Sequence, residues 1–203
     1  MNNSLAPIKS IAGSLTGLLN QDPPPEDLHD DLHRGLEVVG SRADSLDRFL
    51  GSYARLTKLP KPDRKTVGLT ALVDRVIGLE TRLSVETLSS AEVELSVDAA
   101  QLEQVLINLI RNAVDAAGET ADPRVAVGWS RVRGELELTV TDNGPGLASD
   151  ANLFVPFFTT KPTGSGIGLA LSRQIVEAHN GSLELRNREE GSGCVAMVRL
   201  PLK

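Results

Sequence analysis

An α/β sandwich preceded by an antiparallel helical hairpin is the fold class this sequence predicts. Three observations predict it. Leu5, Ile8, Ile11, Leu15, Leu18 and Leu19, and then Leu28, Leu32, Leu36, Val39, Leu46, Phe49, Leu50, Tyr53 and Leu56, recur every three or four positions, the period of one helix face. From residue 66 onward, alternating strands and helical stretches come in blocks with antiparallel turns, a pattern that places helices on one face of a mixed sheet. Between the two regions, LPKPDRK breaks both periods. The 203 residues therefore divide into a hairpin over 1–59, a linker over 60–65 and a sandwich over 66–203.

The first helix contains Pro7, which is tolerated where a helix begins close to it. QDPPP ends that helix, Asp22 or the proline run opens the second, and Pro60 and Pro62 end the second. A hairpin with one apolar seam cannot bury that seam alone. Pairing with a second copy into a four-helix bundle buries it, and packing on the rest of its own chain is the alternative.

In the sandwich, TVGLTALVDRVIGLETRL reads as a short strand and then a helix, and VELSV as an alternating strand. Asp98 caps a helix that runs AAQLEQVLINLIRNAVDAAG and stops at Gly118. RVAVGWSRV and ELELTVTD are strands joined by a turn at Arg133-Gly134. Residues 143 to 166 read as loop. GIGLALSRQIVEAHNG is a helix closed by Gly181, and GSLELRNR and CVAMVRLPL are strands joined by EEGSG.

Composition removes several classes. Lys and Arg number 21 against 27 Asp and Glu, so the net charge of −6 argues against retention on nucleic acid by bulk charge. No apolar run approaches the roughly 18 residues that span a bilayer. MNNSLAPIKS lacks the basic start and apolar stretch of a signal peptide, and the expected location is cytoplasmic. One cysteine, Cys194, excludes an internal disulfide and reads as a small core residue. Trp129 reads as packing.

Three segments carry chemistry. Asn108 and Asn112 in NLIRNAVDA lie four apart on one helix face, and amide oxygens of this kind suit Mg²⁺ beside phosphates. A solvated or capped polar stripe is the plain alternative. DNGPGL ends a strand with Asp142, Gly144 and Gly146. A carboxylate at the rim of an apolar slot accepts the exocyclic amine of adenine, and a turn with an Asx bond is the alternative. GSGIGLALS opens a helix with Gly164, Gly166 and Gly168, and amides at a helix start cradle phosphate. Between the last two lies LFVPFFTTKPTG, whose Phe154, Phe157 and Phe158 read as a lid. Thr159, Thr160 and Lys161 would then reach the phosphates.

In order and spacing, these segments resemble the asparagine, first glycine, phenylalanine and second glycine boxes of sensor histidine kinases. Their ATP-binding Bergerat fold is shared with gyrase, a heat-shock chaperone and mismatch-repair ATPases (the GHKL group). PFFTTKPTGSGIGLALSRQIVEAHNG is similar to the nitrogen-regulation type of kinase. The resemblance implies ATP and Mg²⁺ as cofactors, Asp142 as the adenine-binding aspartate and Asn112, assisted by Asn108, as the metal ligand. It also implies a lid over 147–163 and nucleotide contacts from Asp115, Gly144, Gly146, Phe157, Thr159, Thr160, Lys161, Gly164, Ser165, Gly166, Ile167, Gly168 and Leu169. The hairpin is implied to be the dimerisation and phosphotransfer domain, with a homodimer and a response-regulator receiver domain as partners. Membrane attachment would come only through segments upstream. Hydrolysing relatives carry Glu where this chain has Asn108. Asn is no general base at neutral pH, so slow ATP hydrolysis is expected.

The phosphoacceptor histidine is the missing part. NNSLAPIKSI resembles the stretch after that histidine, with Ser4 where Pro is common, so the register puts the acceptor upstream of Met1, by truncation or by natural loss. His29 and His33 in HDDLH are expected to be surface residues. His179 is expected to interact with a helix C-terminal dipole. No catalytic residue is thus assigned within the chain beyond Lys161 as a phosphate contact. The expected activity is that of a protein-histidine kinase whose present chain does not autophosphorylate. A non-catalytic ATP-binding module and a Ser/Thr kinase or ATPase of the same fold are the alternatives.

Overall fold

The computed structural model describes residues 5–57, 59–89, 91–148, 152–159, 161 and 166–202, and the chain forms two compact units, Met1–Thr57 and Lys58–Lys203. The first holds α1 (Leu5–Leu19) and α2 (Leu28–Thr57), which pack on each other with Leu15 lying over Gly35. A Cβ at Gly35 would come within 2.6 Å of the Leu15 Cδ2, so the small residue sets the approach of the helices. Among the described side chains of this unit none is buried, and Leu5, Leu19, Leu36 and Val38 are exposed. Phe49, Leu50, Tyr53 and Leu56 fall outside the described side chains. His29 and His33 are exposed, and His33 lies 3.5 Å from Glu37.

The second unit runs β1 (Lys65–Gly68), α3 (Leu69–Ile77), β2 (Val85–Thr87), β3 (Glu94–Val97), α4 (Ala99–Ala117), β4 (Val125–Val132), β5 (Glu135–Asp142), α5 (Gly168–Ala178), β6 (Ser182–Asn187) and β7 (Cys194–Pro201). A five-stranded sheet has the order β2-β4-β5-β7-β6, with β2 parallel to β4 and the other pairs antiparallel. The mixed sheet is as the sequence predicts. Two details differ. β2 has too few residues to show a period, and β1 and β3 form a separate antiparallel pair.

The alternation of each strand sorts its two faces. Trp129, Leu138, Val198 and Leu183 stand in register across four strands, and all are buried. α4 meets this layer with Leu102, Val105, Leu106, Leu109, Ile110, Ala113, Val114 and Ala117, a wide stripe at helical spacing. Burying each large member stabilises by about 1.5–3 kcal/mol. α5 adds Ala170, Leu171, Ile175 and Val176. Trp129 is core and its Nε1–H donates to the Ala91 carbonyl at 2.8 Å.

The segment before β1 is stitched to both helices. Asp98 caps α4 by accepting from Ala100 and Gln101 N–H through Oδ1, while its Oδ2 accepts from Asp63 N–H at 3.1 Å. Gln101 Nε2 donates to the Pro60 carbonyl at 3.0 Å, and the Arg64 guanidinium to the Ala178 carbonyl at 2.7 Å. His179 caps the C-terminal end of α5, where the sequence places it, and its ring does more than meet the helix dipole. It is buried, its Nε2 accepts from Asp98 N–H at 3.0 Å, and its Nδ1 bonds the Ile175 carbonyl at 2.8 Å. The ring is therefore a spacer between the end of α5 and the start of α4, committed at both nitrogens.

Candidate functional site

Buried positions on β5 alternate Leu136, Leu138, Val140, Asp142, so Asp142 lies on the helix-covered face at the strand's end. It is 6% exposed. Its Oδ1 accepts from Gly144 N–H at 2.9 Å and Cys194 N–H at 3.2 Å. Its Oδ2 has no partner among the described residues. Burial pushes the Asp142 carboxyl above the usual range, while those two N–H groups and the charges of Arg188 and Lys161 pull it back. Cys194 is buried as expected, and burial beside Asp142 lifts its thiol to about 11.

α4 presents the asparagines. Asn108 Nδ2 donates to Ser172 Oγ on α5 at 3.0 Å. A Cβ at residue 168 would collide with the Asn108 amide, so glycine there lets the start of α5 close onto α4. Asn112 is half-buried and makes no hydrogen bond among the described residues. One turn on, the Asp115 carboxylate bonds Lys161 Nζ and the Arg82 guanidinium, each at 2.7 Å. Burial raises its carboxyl, but the two cations outweigh that and hold it below the ordinary value. Arg82 is gripped in turn by both oxygens of Glu80, and this pairing lowers the Glu80 carboxyl to about 2.

The loop after β5 meets this helix, and Phe157 meets Gly166 just before the start of α5. Gly144 abuts the Ala116 backbone, and Phe157 N–H donates to the Gly166 carbonyl at 2.8 Å. Phe154 is half-buried beneath the Arg173 guanidinium, 4.8 Å from its ring centroid, while Phe157 and Phe158 are exposed. Thr159 is exposed with its Oγ1 accepting from Lys161 N–H, Ile167 is buried and Leu169 half-buried. Ser4, Thr160, Gly164 and Ser165 lie outside the described residues. Residues 108, 112, 115, 144, 161, 166 and 168 thus cluster around α4 and the start of α5, with Asp142 at the strand end beside Gly144. Sequence reasoning missed Arg82 and Ser172. Ser172 had a signal, a hydroxyl within the apolar stripe of α5, whereas Arg82 in a charged loop had none.

A sheet of this order, covered by helices on one face and carrying a buried strand-end aspartate opposite an asparagine-bearing helix, defines a nucleotide-binding domain of the GHKL type. The chain belongs to the histidine kinase-, DNA gyrase B- and HSP90-like ATPase family, whose model matches residues 97–203. It is 32% identical over 94% of its length to the C4-dicarboxylate transport sensor protein DctB of Rhizobium meliloti, of which it covers 34%. The chain spans between 31% and 44% of such curated relatives. Among solved structures, the nucleotide-free catalytic domain of histidine kinase ThkA matches with a TM-score of 0.60 and 27% identity over 68% of this chain and 95% of that one. ThkA in complex with the response regulator TrrA matches in fold with a TM-score of 0.69 and 23% identity, over 98% of this chain and 59% of that one.

Proposed function

We propose that the chain is the hairpin and ATP-binding portion of a sensor histidine kinase. The sandwich would hold Mg-ATP while the γ-phosphoryl group leaves ADP, bonds to a histidine nitrogen, and passes to an aspartate of a response-regulator receiver domain. The observation that carries this reading is the convergence around α4 of the half-buried Asn112, a Lys161 held by Asp115, the 144–146 loop and the start of α5.

Each part has a role that its chemistry supports. The Asp142 Oδ2, without a partner among the described residues, suits the exocyclic amine of adenine. The backbone at Gly166–Gly168 opens α5 and suits phosphate. Lys161 sits on a carboxylate that a phosphate can replace. Asn112, with the Asn108 carbonyl oxygen beside it on the same helix face, fits Mg²⁺ as a hard oxygen donor. When bound, that ion supplies charge neutralisation between the phosphates. Asn108 accepts no proton at neutral pH, so these groups orient the nucleotide without activating water. Both nitrogens of His179 are committed, and the proposed acceptor is a histidine outside residues 1–203.

The apolar seam of α1 and α2 supports a homodimer in which two hairpins form a four-helix bundle, with the receiver domain as a transient partner. The receiver-domain reading is supported by the ThkA–TrrA likeness. No described helix is long and apolar enough to cross a membrane. A cytoplasmic position for this portion follows from its proposed use of ATP.

Titration calorimetry with a non-hydrolysable Mg-ATP analogue tests the reading. The expected result is one nucleotide per chain, with slow ATP hydrolysis and no acid-labile label on the chain from radioactive ATP. Absence of nucleotide binding overturns it, and strong labelling would move the acceptor to His29 or His33.

A further inference from the structure

We propose that Asn187, the last residue of β6, is a positioning residue for the glycine loop that follows Asp142, an inference that rests on the nucleotide reading above. Its side chain reaches across forty residues of sequence to one backbone unit. Asn187 Oδ1 accepts from Leu147 N–H at 2.6 Å, and Asn187 Nδ2 donates to the Leu147 carbonyl at 3.2 Å. A side-chain amide that engages both polar groups of one residue reproduces a rung of a β-ladder. The sheet is in effect extended by a side chain at the point where its strand ends.

Gly146 carries the imprint of the same contact. Its φ is +83°, and a Cβ there would lie 2.7 Å from Asn187 Oδ1. Loop and amide are therefore closed on each other without space for a methyl group. The turn after Asn187 completes a wall behind the loop. Ser192 Oγ donates to the Asn143 carbonyl at 3.4 Å, and Cys194 N–H reaches Asp142 itself. Asn143 ties the loop sideways by accepting from Arg124 N–H at 2.8 Å and donating to the Asp122 carbonyl at 2.7 Å. On the far side Gly144 rests on Ala116 of α4. Residues 143–147 are thus held before any ligand arrives, and among the described residues Asn187 is the only side chain bonded to Leu147. Asn187 acts through Gly146 and Leu147, and its effect is to remove the cost of ordering the loop from the cost of binding.

The test compares the whole chain with its Asn187→Ala and Asn187→Asp variants, using ADP affinity by calorimetry, hydrogen exchange at the Leu147 amide and thermal unfolding. The Ala variant is expected to bind ADP about tenfold more weakly, equivalent to about 1.4 kcal/mol, with Leu147 exchanging faster and Tm nearly unchanged. The Asp variant keeps the acceptor and loses the donor, so it falls between the two. A purely structural role would lower Tm and leave affinity and Leu147 exchange alone. Wild-type affinity or wild-type Leu147 protection in the Ala variant overturns the proposal. If the unaltered chain binds no ADP, the nucleotide reading is what fails, and the exchange comparison still decides whether Asn187 clamps the loop.

Discussion

Helices α1 and α2 and helix α4 are all amphipathic, yet they end in opposite situations. α4 lays its apolar stripe against β4 and β5 between α3 and α5, and Leu106 on it is fully buried. The hairpin leaves Leu36 at 61% and Leu19 at 57% exposure, and no described side chain in it is buried. A similar residue pattern therefore gives a finished core in one unit and an unfinished one in the other. The difference lies in what the rest of the chain offers: a five-stranded sheet in the second unit, and a single short helix in the first. We read these exposed apolar side chains as the face that the proposed second copy of the hairpin covers.

Four substitutions sharpen that contrast, from the largest effect to the smallest. Leu106→Ala opens a cavity in the finished core and is expected to cost the sandwich about 3 kcal/mol in denaturant unfolding, with α1 and α2 unaffected. Asp142→Asn keeps an oxygen for Gly144 and Cys194 N–H but turns Oδ2 into a donor. Calorimetry should show adenine-nucleotide affinity reduced at least tenfold, about 1.4 kcal/mol, on an unchanged fold. Unchanged affinity would remove Asp142 from the adenine role.

Glu80→Gln breaks the pairing that orders Arg82 beneath Asp115, and is expected to cost about 1 kcal/mol at neutral pH. The Glu80 carboxyl is lowered from an ordinary 4.5 to about 2 in the folded chain. Its contribution is therefore complete above pH 4.5 and lost as pH falls toward 2, so the gap between variant and parent should close across that window. A gap that widens on acidification contradicts the assignment. Leu36→Ala is expected to change sandwich unfolding by less than about 0.5 kcal/mol. In sedimentation it should shift a monomer–dimer equilibrium toward monomer. An unaltered equilibrium would leave the exposed seam without a second copy as its cover.

Much of the fold was legible in the amino-acid order because helix and strand periods are local. The α4 cap at Asp98, the Arg133–Gly134 turn and the strand-end position of Asp142 were readable for the same reason. β2 was not, because three residues with one buried side chain carry no period. Its parallel pairing with β4, and the separation of β1 and β3 from the main sheet, depend on partners far along the chain. Around the candidate site, the motif residues stood out by their spacing. The groups that orient them did not. Arg82 meets Asp115 across 33 residues, Ser172 meets Asn108 across 64, and Asn187 meets Leu147 across 40.

By itself the sequence determined which segments are helices and strands, which residues can offer amide oxygens, a carboxylate and backbone donors, and that the fold is an ATP-binding sandwich behind a helical hairpin. Only the tertiary structure decided how those groups are aimed. It buried His179 with its ring between the Asp98 N–H and the Ile175 carbonyl, gave Asp115 two cations, and made Asn187 the neighbour of the glycine loop. The reason is the range of the forces involved. Backbone preference and hydrophobic period act over a few residues, whereas a hydrogen bond between elements exists only after packing has brought its two partners within about 3 Å.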